Sequence, residues 1–368
     1  MKIDRIEVFP IAVPLTEPLV IALGRIDVYA GVLVRAFSGE HYGWGEAAPI
    51  AQITGETPGT ILAALAEAIV PRVEGRSLWE METVLADVDA SILHNAAAKA
   101  AVDIALHDLR GKLLGRSVSQ VLGGSAKTLL TSVTLSIGGL DETVAKAEQL
   151  AGRGVKLIKL KVGLDPPGDV QRVAAVRRAV GDAPELTLDA NQGWSVKDAI
   201  WALRRMEASN IAYVEQPVHY RDLRGMAEVR RRVGIPIMAD ESVAVAADAV
   251  EVARADAADM INIKLMKAGG IAAAAKVAAV AEAAAMPCMV GCMKETRLAV
   301  TAGVHLAMGL DIVRYADLDG HHNLQTDIVT GGAETLSGTC TMTEGPGLAV
   351  DVDDELLARV IQRKEPSP

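Results

Sequence analysis

The chain has 368 residues, of which 50% are hydrophobic and 23% charged, and its formal net charge is −10. This composition excludes a disordered chain, because it provides enough apolar surface to offset the entropy cost of folding. The acidic balance argues against a nucleic-acid partner, since negative charge repels a phosphate backbone. The length predicts two domains and leaves room for an α/β barrel of about 250 residues.

Neither the amino terminus nor the most apolar stretch has the pattern of a signal peptide or a membrane span. Residues 1–15 alternate polar and apolar side chains and lack the apolar core of a signal peptide. Residues 271–293 are interrupted by Lys276, Glu282 and Pro287, which does not suit a membrane span of about 20 residues. Three cysteines are too few for a disulfide framework. We therefore expect a cytoplasmic protein without a membrane partner.

Residues 1–124 predict a small α+β domain. Strand-like runs cover residues 3–11 and 28–37, and Gly43 and Gly45 indicate a turn after them. Apolar residues at helical spacing predict helices over residues 58–69, 78–93 and 96–114. Gly123 and Gly124 then mark the end of this domain.

Residues 125–330 predict a barrel, because short β-branched runs alternate there with helical patterns. The strand candidates are residues 130–137, 157–162, 186–189, 213–215, 237–240, 260–264, 288–290 and 312–315. This alternation implies parallel pairing, for which a closed (β/α) barrel and an open doubly wound sheet are the two solutions. The open sheet is disfavoured because no Gly-x-Gly-x-x-Gly follows a strand. Residues 331–368 are predicted to return toward the first domain.

Nearly every predicted barrel strand ends in a charged or polar residue. These residues are Lys159, Lys161, Asp189, Asn191, Glu215, Asp240 and Lys264. Side chains at positions i and i+2 of a strand share a face, and the carboxyl ends of barrel strands form the active face. We therefore expect these side chains to converge.

Three of them are carboxylates on successive strands: Asp189, Glu215 and Asp240. Unpaired carboxylates brought together would repel one another, and a hard divalent cation removes that cost. Oxygen ligands with open water positions suit Mg²⁺. The alternative is that they are helix caps or salt-bridged loop acids.

Lysines flank the carboxylates on both sides of the predicted barrel mouth. A partly desolvated lysine near a cation has a depressed pKa and can act as a general base. Two such lysines on opposite sides of a carbon acid could remove a proton from one face and return one to the other, through a metal-stabilised enolate. This arrangement predicts a racemase or an epimerase, and surface lysines are the alternative.

The motifs together resemble the enolase superfamily and its muconate lactonizing enzyme-like subgroup. They are Lys159-Leu160-Lys161, Leu188-Asp189-Ala190-Asn191, Val214-Glu215-Gln216-Pro217, Ala239-Asp240-Glu241-Ser242 and the segment from Asn262 to Gly270. The resemblance implies a modified TIM barrel, (β/α)7β, behind an N-terminal α+β capping domain. It implies that Asp189, Glu215 and Asp240 bind one Mg²⁺, that Lys161 and Lys264 are the acid/base catalysts, and that Lys159 helps hold the substrate carboxylate.

Asp317 and Asp319 share a face at the end of the last barrel strand. Two further carboxylates at this mouth require a cation, for which a substrate ammonium, a second metal ion or solvent remain open. The Asp-x-Asp pattern resembles that of the dipeptide epimerases, in which it binds the α-ammonium of the dipeptide. The resemblance therefore implies a dipeptide epimerase, close to the Ala-Glu epimerases, that inverts the α-carbon of the C-terminal residue.

Further substrate contacts are expected from Arg25, Ser136 and Lys294. A loop over residues 22–29 is expected to close over the substrate, with Gly24 standing where the Ala-Glu epimerases carry an arginine and Arg25 following it. Lys294 stands where those relatives carry an apolar residue, and Glu295 or Asp317 are its other expected partners. Ser136 is expected to point into the barrel mouth.

Several alternatives share these residues. An N-acylamino acid racemase or o-succinylbenzoate synthase would share both lysines and the metal but would not need Asp317 and Asp319. A cycloisomerase, a Schiff-base aldolase and a barrel that only binds a ligand are further alternatives. We also expect a homo-oligomer.

Overall fold

An antiparallel sheet opens the chain. In the computed structural model of the protein, which describes residues 1–124, 128–336 and 338–362, this sheet comprises β1 (Arg5–Ile21), β2 (Gly24–Ser38) and β3 (His41–Ala47). The strands pair in the order β1-β2-β3. β1 and β2 are longer than the sequence predicts, because they continue as a hairpin beyond the sheet, with a shift in register between Pro14 and Leu19.

Helices cover this sheet and complete the capping domain. They are α1 (Ala51–Thr54), α2 (Pro58–Ala64), α3 (Val70–Val73), α4 (Met81–Ser91), α5 (Ala96–Leu114) and α6 (Val118–Val121), with a π turn at Leu65–Ile69 and a 3-10 turn at Leu78–Glu80. The Thr57 hydroxyl accepts a hydrogen bond from the Thr60 N–H and caps α2, whose first residue is proline. The three predicted helical segments are therefore confirmed.

The glycine turn predicted at residues 43 and 45 is wrong, because both residues lie within β3. A Cβ on Gly45 would lie 1.9 Å from the carbonyl oxygen of Ala101, and one on Gly43 would lie 2.2 Å from that of Ala105. Glycine is required there because α5 packs directly onto the strand backbone.

Eight parallel strands form the barrel, in chain order around the sheet. They are β5 (Val133–Leu135), β6 (Leu157–Lys161), β7 (Glu185–Asp189), β8 (Ile211–Glu215), β9 (Ile237–Ala239), β10 (Met260–Lys264), β11 (Cys288–Gly291) and β12 (Val313–Asp317). A parallel bridge between Thr131 and Ala316 joins the first edge to the last and nearly closes the sheet. The barrel, rather than the open sheet, is therefore the correct prediction. The preceding strand, β4 (Leu129–Leu130), belongs to another sheet.

Helices follow the first seven barrel strands, which gives the predicted (β/α)7β arrangement. They are α7 (Leu140–Gly152), α8 (Pro166–Val180), α9 (Val196–Met206), α10 (Leu223–Arg232), α11 (Ala246–Arg254), the pair α12 (Leu265–Ala268) and α13 (Ile271–Ala283), and α14 (Arg297–Gly309), with a 3-10 turn at Glu207–Ser209 after α9. Inside the barrel, Tyr213, Met238, Met260 and Met289 form a buried apolar cluster that fills the space below the charged strand ends. None of the helices in the described ranges is both long and apolar enough to cross a membrane.

The C-terminal segment contacts the capping domain. It comprises β13 (Val329–Gly331), β14 (Ala333–Glu334), β15 (Thr339–Met342), β16 (Val350–Val352) and α15 (Asp354–Val360). Asp351 accepts hydrogen bonds from the Tyr42 hydroxyl at 2.7 Å and the Trp44 indole at 2.9 Å, and the Gln362 N–H donates to the Pro10 carbonyl. The proposed boundary at residue 125 and the segment's last residues, 363–368, lie outside the described residues.

Candidate active site

A cavity of about 310 Å³ lies at the carboxyl ends of the barrel strands. Lys161 of β6, Lys264 of β10 and Asp317 of β12 line it from the barrel side, and Leu19 and Ile21 of β1 line it from the capping domain. In a barrel of this type the active site lies at this end of the strands. The cavity therefore combines charged groups from the barrel with an apolar wall from the cap.

Lys161 and Lys264 approach this cavity from different sides of the barrel, because three strands separate β6 from β10. The Lys161 ammonium lies 2.5 Å from a carboxylate oxygen of Asp189 and 3.0 Å from the side-chain oxygen of Asn191. The Lys264 ammonium lies 2.7 Å from Asp240. Both lysines are thus held by carboxylates of the strands between them.

Lys159 lies one layer deeper on the same face of β6 and is 1% exposed. Its ammonium contacts Asp317 at 2.5 Å, Glu215 at 2.8 Å and Asp189 at 3.0 Å. Burial lowers the pKa of Lys159, but the charges of Asp189 and Asp317 outweigh burial and hold it well above its usual range. Lys159 is therefore a fixed positive charge among three acids.

The three carboxylates predicted to bind a metal are buried together. Asp189 and Glu215 are partners in register on β7 and β8, and Asp240 directly follows β9. Burial and the charge of Asp189 raise the pKa of Glu215 to about 8. Burial raises the pKa of Asp240, but the charges of Lys264 and Lys267 outweigh burial and hold this pKa well below its usual range. The carboxylates are close enough to influence one another, as the metal hypothesis requires.

Whether these side chains fit a metal cation depends on how many carboxylate oxygens they offer and what already contacts those oxygens. As they stand, no group of three or more His, Cys, Asp or Glu side chains in the described ranges is arranged to hold a metal ion. Lysine ammonium groups contact the oxygens of Asp189 and Asp240 instead. Beside them, one buried carboxylate oxygen of Glu241 has no hydrogen-bond partner among the described residues, and burial together with Asp240 and Asp189 raises the pKa of Glu241 to about 7. This excess of buried carboxylate oxygen fits a hard divalent cation.

The depressed lysine pKa predicted from the sequence assumed a bound cation and stays a prediction. Burial lowers the pKa of Lys264, as expected. The charges of Asp240 and Glu215 act against burial and raise the pKa well above its usual value. A cation bound by Asp240 and Glu215 would offset part of this negative charge and so lower the pKa of Lys264.

Asp317 and Asp319 both line the cavity, as the Asp-x-Asp spacing predicts. The carboxylate of Asp317 accepts hydrogen bonds from the Ser132 hydroxyl and the Lys159 ammonium, each at 2.5 Å. Asp319 accepts from the Thr134 N–H at 2.7 Å. Burial raises the pKa of Asp319, but the charges of His322 and Lys294 act against burial, and the pKa is lowered overall. Asp319 is thus a charged group at the cavity wall, whereas Asp317 is already partnered.

The other predicted substrate contacts divide into two groups. Ser136 and Lys294 line the cavity. Lys294 donates a hydrogen bond to the side-chain oxygen of Asn323, rather than pairing with Glu295 or Asp317. Arg25 does not line the cavity; its guanidinium is largely exposed and pairs with Asp27 at 2.7 Å.

The loop predicted over residues 22–29 is wrong, because only residues 22 and 23 form a turn and the rest belongs to β2. Backbone pairing of Leu19 with Ile26 and of Val20 with Arg25 extends the hairpin to this turn. The alternation of side chains in the hairpin directs Leu19 and Ile21 to the cavity.

Asn262 and Lys267 are site residues that were not predicted from the sequence. The Asn262 side chain donates to Glu215 at 2.7 Å, and the Lys267 ammonium lies 2.5 Å from Asp240. Asn262 was detectable, because it lies two residues before Lys264 on the same strand face. Lys267 lies on α12, a single helical turn after β10 that the strand pattern does not reveal.

Comparison with known families assigns both domains. Residues 142–356 match the family described as enolase C-terminal domain-like, and residues 5–123 match the mandelate racemase / muconate lactonizing enzyme N-terminal domain. The chain belongs to the enolase superfamily. The resemblance predicted from the strand-end motifs is confirmed, and the chain is an isomerase of this superfamily.

Relatives of this chain include epimerases and racemases. The L-Ala-D/L-Glu epimerase of Bacillus subtilis is 42% identical, with 95% of this chain and 97% of the relative covered. The structure of its substrate-liganded complex covers 95% of this chain and 99% of that one, with a TM-score of 0.93.

Two further relatives differ in substrate. A dipeptide epimerase of Enterococcus faecalis, solved with Mg and L-Leu-L-Tyr, is 38% identical, with 95% of this chain and 99% of that one covered and a TM-score of 0.93. The N-succinyl-L-Arg/Lys racemase of Bacillus cereus is 33% identical, with 97% of each chain covered. Both a dipeptide and an N-acyl amino acid are thus substrates of relatives.

Proposed function

We propose that this protein is a Mg²⁺-dependent dipeptide epimerase that inverts the α-carbon of the C-terminal residue. The observation that carries the proposal is the pair of lysines, Lys161 and Lys264, that enter one cavity from different strands beside Asp317 and Asp319. The similarity to dipeptide epimerases over most of the chain supports it.

Asp189, Glu215 and Asp240 would hold the cation, with the unpartnered oxygen of Glu241 beside them. When bound, the cation supplies positive charge that offsets the negative charge developing on the substrate carboxylate as its α-proton leaves. Lys159, buried among the same acids, adds a fixed positive charge on that side.

The lysines perform the proton transfers. One of them, as the free amine, accepts the α-proton, and the electron pair of the broken C–H bond delocalises into the carboxylate as an enolate. The other, as the ammonium, then donates a proton to the opposite face of the same carbon, which inverts its configuration. The reverse reaction exchanges the two roles, so each stereoisomer needs a different base.

The remaining predicted residues bind the substrate in this scheme. Asp319 and Asp317 receive the α-ammonium of the dipeptide, and Ser136 hydrogen-bonds the peptide from β5's end. Arg25 lies near the tip of the cap hairpin, outside the cavity, so it contacts the substrate only if the hairpin moves inward. A cytoplasmic location and a homo-oligomer remain predictions of the sequence.

An N-acylamino acid racemase is the second candidate. It is favoured by the similarity to the N-succinyl amino acid racemase and by the fact that Asp317 already contacts Lys159 and Ser132. Such a substrate carries no ammonium, so a charged Asp319 at the cavity wall would have no role in binding it. This distinction favours the dipeptide.

The test is a library of dipeptides and N-acyl amino acids incubated with the protein and Mg²⁺ in deuterated water. We expect mass spectrometry to detect one deuterium at the C-terminal α-carbon of particular dipeptides, and expect a chelator to abolish it. Exchange confined to N-acyl amino acids would favour the second candidate, and exchange that survives the chelator would refute the metal assignment.

A further inference from the structure

Lys294 is a buried lysine in the wall of the cavity. Its side chain is 7% exposed, lines the cavity and contacts the amide oxygen of Asn323, but it forms no ion pair with any carboxylate of the described residues. The adjacent Glu295 does not neutralise it, because burial and the charge of Glu46 raise the pKa of Glu295 to about 8. A buried charge without a partner is costly, so this ammonium favours any anion that enters the cavity.

The position of Lys294 is fixed by Asn323, which also lines the cavity. Asn323, which accepts its hydrogen bond, donates its own amide N–H to the Glu17 carbonyl at 2.8 Å, and its backbone carbonyl accepts from the Thr16 N–H. The ammonium is therefore held by a residue that is anchored to β1 on two sides. Burial lowers the pKa of Lys294 against the charge of Asp319, which agrees with a cation whose neutralisation is incomplete.

The other cavity lysine at the rim has its partners already. Lys146 of α7 pairs with Glu17 at 2.8 Å and with Glu142 at 3.0 Å, and it is half-exposed. The charge of Lys146 is therefore already neutralised, and it gains less from an anion in the cavity than Lys294 does. His322 also lines the cavity, but burial lowers its pKa, and its ring nitrogen contacts the Thr335 hydroxyl at 2.8 Å.

Lys294 lies near Asp319, the residue assigned to the substrate ammonium in the proposed function on which this inference rests. In a dipeptide, the ammonium and the side chain of the first residue branch from the same carbon. A first-residue side chain therefore emerges beside Asp319, within reach of Lys294. The α-carbon that reacts lies farther along the peptide, between Lys161 and Lys264.

We infer that Lys294 is a substrate-binding residue that selects dipeptides whose first residue carries an acidic side chain, aspartate or glutamate. The ammonium of Lys294 pairs with the side-chain carboxylate, while Asp319 pairs with the α-ammonium of the same residue. The two ion pairs together fix the first residue at the cavity wall.

The test compares kcat/KM for two dipeptides that differ only in charge: one with L-Glu and one with L-Gln in first position, before the same second residue. We expect the unaltered protein to prefer glutamate. Lys294→Met should reduce the Glu/Gln ratio by about 10- to 100-fold, the value of a hydrogen-bonded ion pair. Lys294→Arg should retain the preference, because it restores the charge.

Lys146→Met is the matched control, since it removes a lysine of the same cavity whose charge is already paired, and it should leave the ratio unchanged. The ratio is measured on one protein preparation, so partial unfolding of a variant does not alter it. An unaltered protein that does not prefer glutamate, or a ratio that Lys294→Met leaves intact, would overturn the inference.

The remaining outcomes separate this inference from the proposed function. If Lys294→Met alters selectivity for Glu over Gln in the second position instead, the first-residue assignment is wrong while the epimerase stands. If dipeptides show no exchange and N-succinyl amino acids do, both the proposed function and this inference fail.

Discussion

At the scale of single residues, the two lysines proposed as catalysts are held by different acids. The Lys161 ammonium contacts the side chains of Asp189 and Asn191. The Lys264 ammonium contacts Asp240 and lies 3.6 Å from a carboxylate oxygen of Glu215. Each lysine projects from a rigid strand, so neither ammonium can take the other's place. The proposed mechanism therefore assigns each lysine to one face of the substrate.

Single replacements test this assignment. We expect Lys161→Ala to abolish α-proton exchange from one diastereomer of a dipeptide substrate, and Lys264→Ala to abolish it from the other, each by about 10²- to 10⁴-fold. Exchange in deuterated water, followed by NMR for both diastereomers separately, measures this effect. Equal partial losses on both diastereomers would contradict the two-base scheme.

Most of the charged site was predictable at this scale, and the reason is the geometry of strands. Lys159, Asp189 and Glu215 lie at ends of apolar strands, where a charge in the sequence stands out and the period of two fixes its direction. What the sequence did not reveal was the pairing among them. The raised pKa of Lys264 depends on which carboxylates of other strands contact it, and only the folded barrel determines those contacts.

At the scale of secondary-structure elements, β3 and α5 approach each other closely enough to exclude any side chain at Gly45. The sequence pattern indicated a turn because glycine is more common in turns than in strands. The close approach of a helix from a later part of the chain reverses that interpretation. Local propensity therefore failed where a tertiary contact decided the conformation.

This contact gives a prediction about stability. Gly45→Ala should reduce the free energy of unfolding by about 1 to 3 kcal/mol, because the new Cβ would overlap the carbonyl oxygen of Ala101. Gly59→Ala is the control, since a Cβ at Gly59 of α2 would meet only the Thr57 hydroxyl, at 3.8 Å. Chemical denaturation measures both variants, and equal stabilities would contradict the packing argument.

His305 of α14 links this helix to α6 and to the turn before β16 through its ring. One ring nitrogen accepts a hydrogen bond from the Ser119 N–H of α6, so the other carries the proton and donates to the Leu348 carbonyl. Burial lowers the pKa of His305 to about 4. Protonation would place a second N–H against the Ser119 N–H, so the neutral ring is the form that the fold requires.

The lowered pKa predicts loss of stability in acid. In the unfolded chain histidine binds its proton near pH 6.5, so the contribution of His305 is complete above that pH and is lost as the pH falls toward 4, by roughly 3 kcal/mol in total. His305→Gln, which keeps an acceptor and a donor but does not titrate, should flatten this dependence in denaturation measured between pH 7.5 and 4.5. The exposed His41→Gln is the control, and an identical slope in His305→Gln would refute the prediction.

At the scale of the whole molecule, Glu46 of β3 connects the cap to the barrel. Its carboxylate accepts hydrogen bonds from the Tyr29 hydroxyl of the cap and from the Thr296 and Ala299 N–H groups at the start of α14. A carboxylate at a helix amino terminus also interacts favourably with the helix dipole. Glu46 is thus one of the buried side chains that join the two domains enclosing the cavity.

A cation bound by the buried acids of the cavity should stabilise the whole folded protein. Ligands that bind the folded state stabilise it, by about 2.7 kcal/mol at a concentration of 100 times Kd. We expect Mg²⁺ to raise the Tm of chelator-treated protein by several degrees, and expect Asp240→Asn to remove most of that rise. Glu251→Gln, on the outer surface of α11, is the control and should retain it.

The order of synthesis has a consequence for the sheet of the capping domain. β1 to β3 are synthesised about 300 residues before Asp351 and Gln362, which form hydrogen bonds with this sheet. At 5–20 residues per second, the sheet waits roughly 15 to 60 s for these partners. During translation the Trp44 indole therefore lacks its acceptor, and the first domain gains its full set of hydrogen bonds only after the barrel has been synthesised.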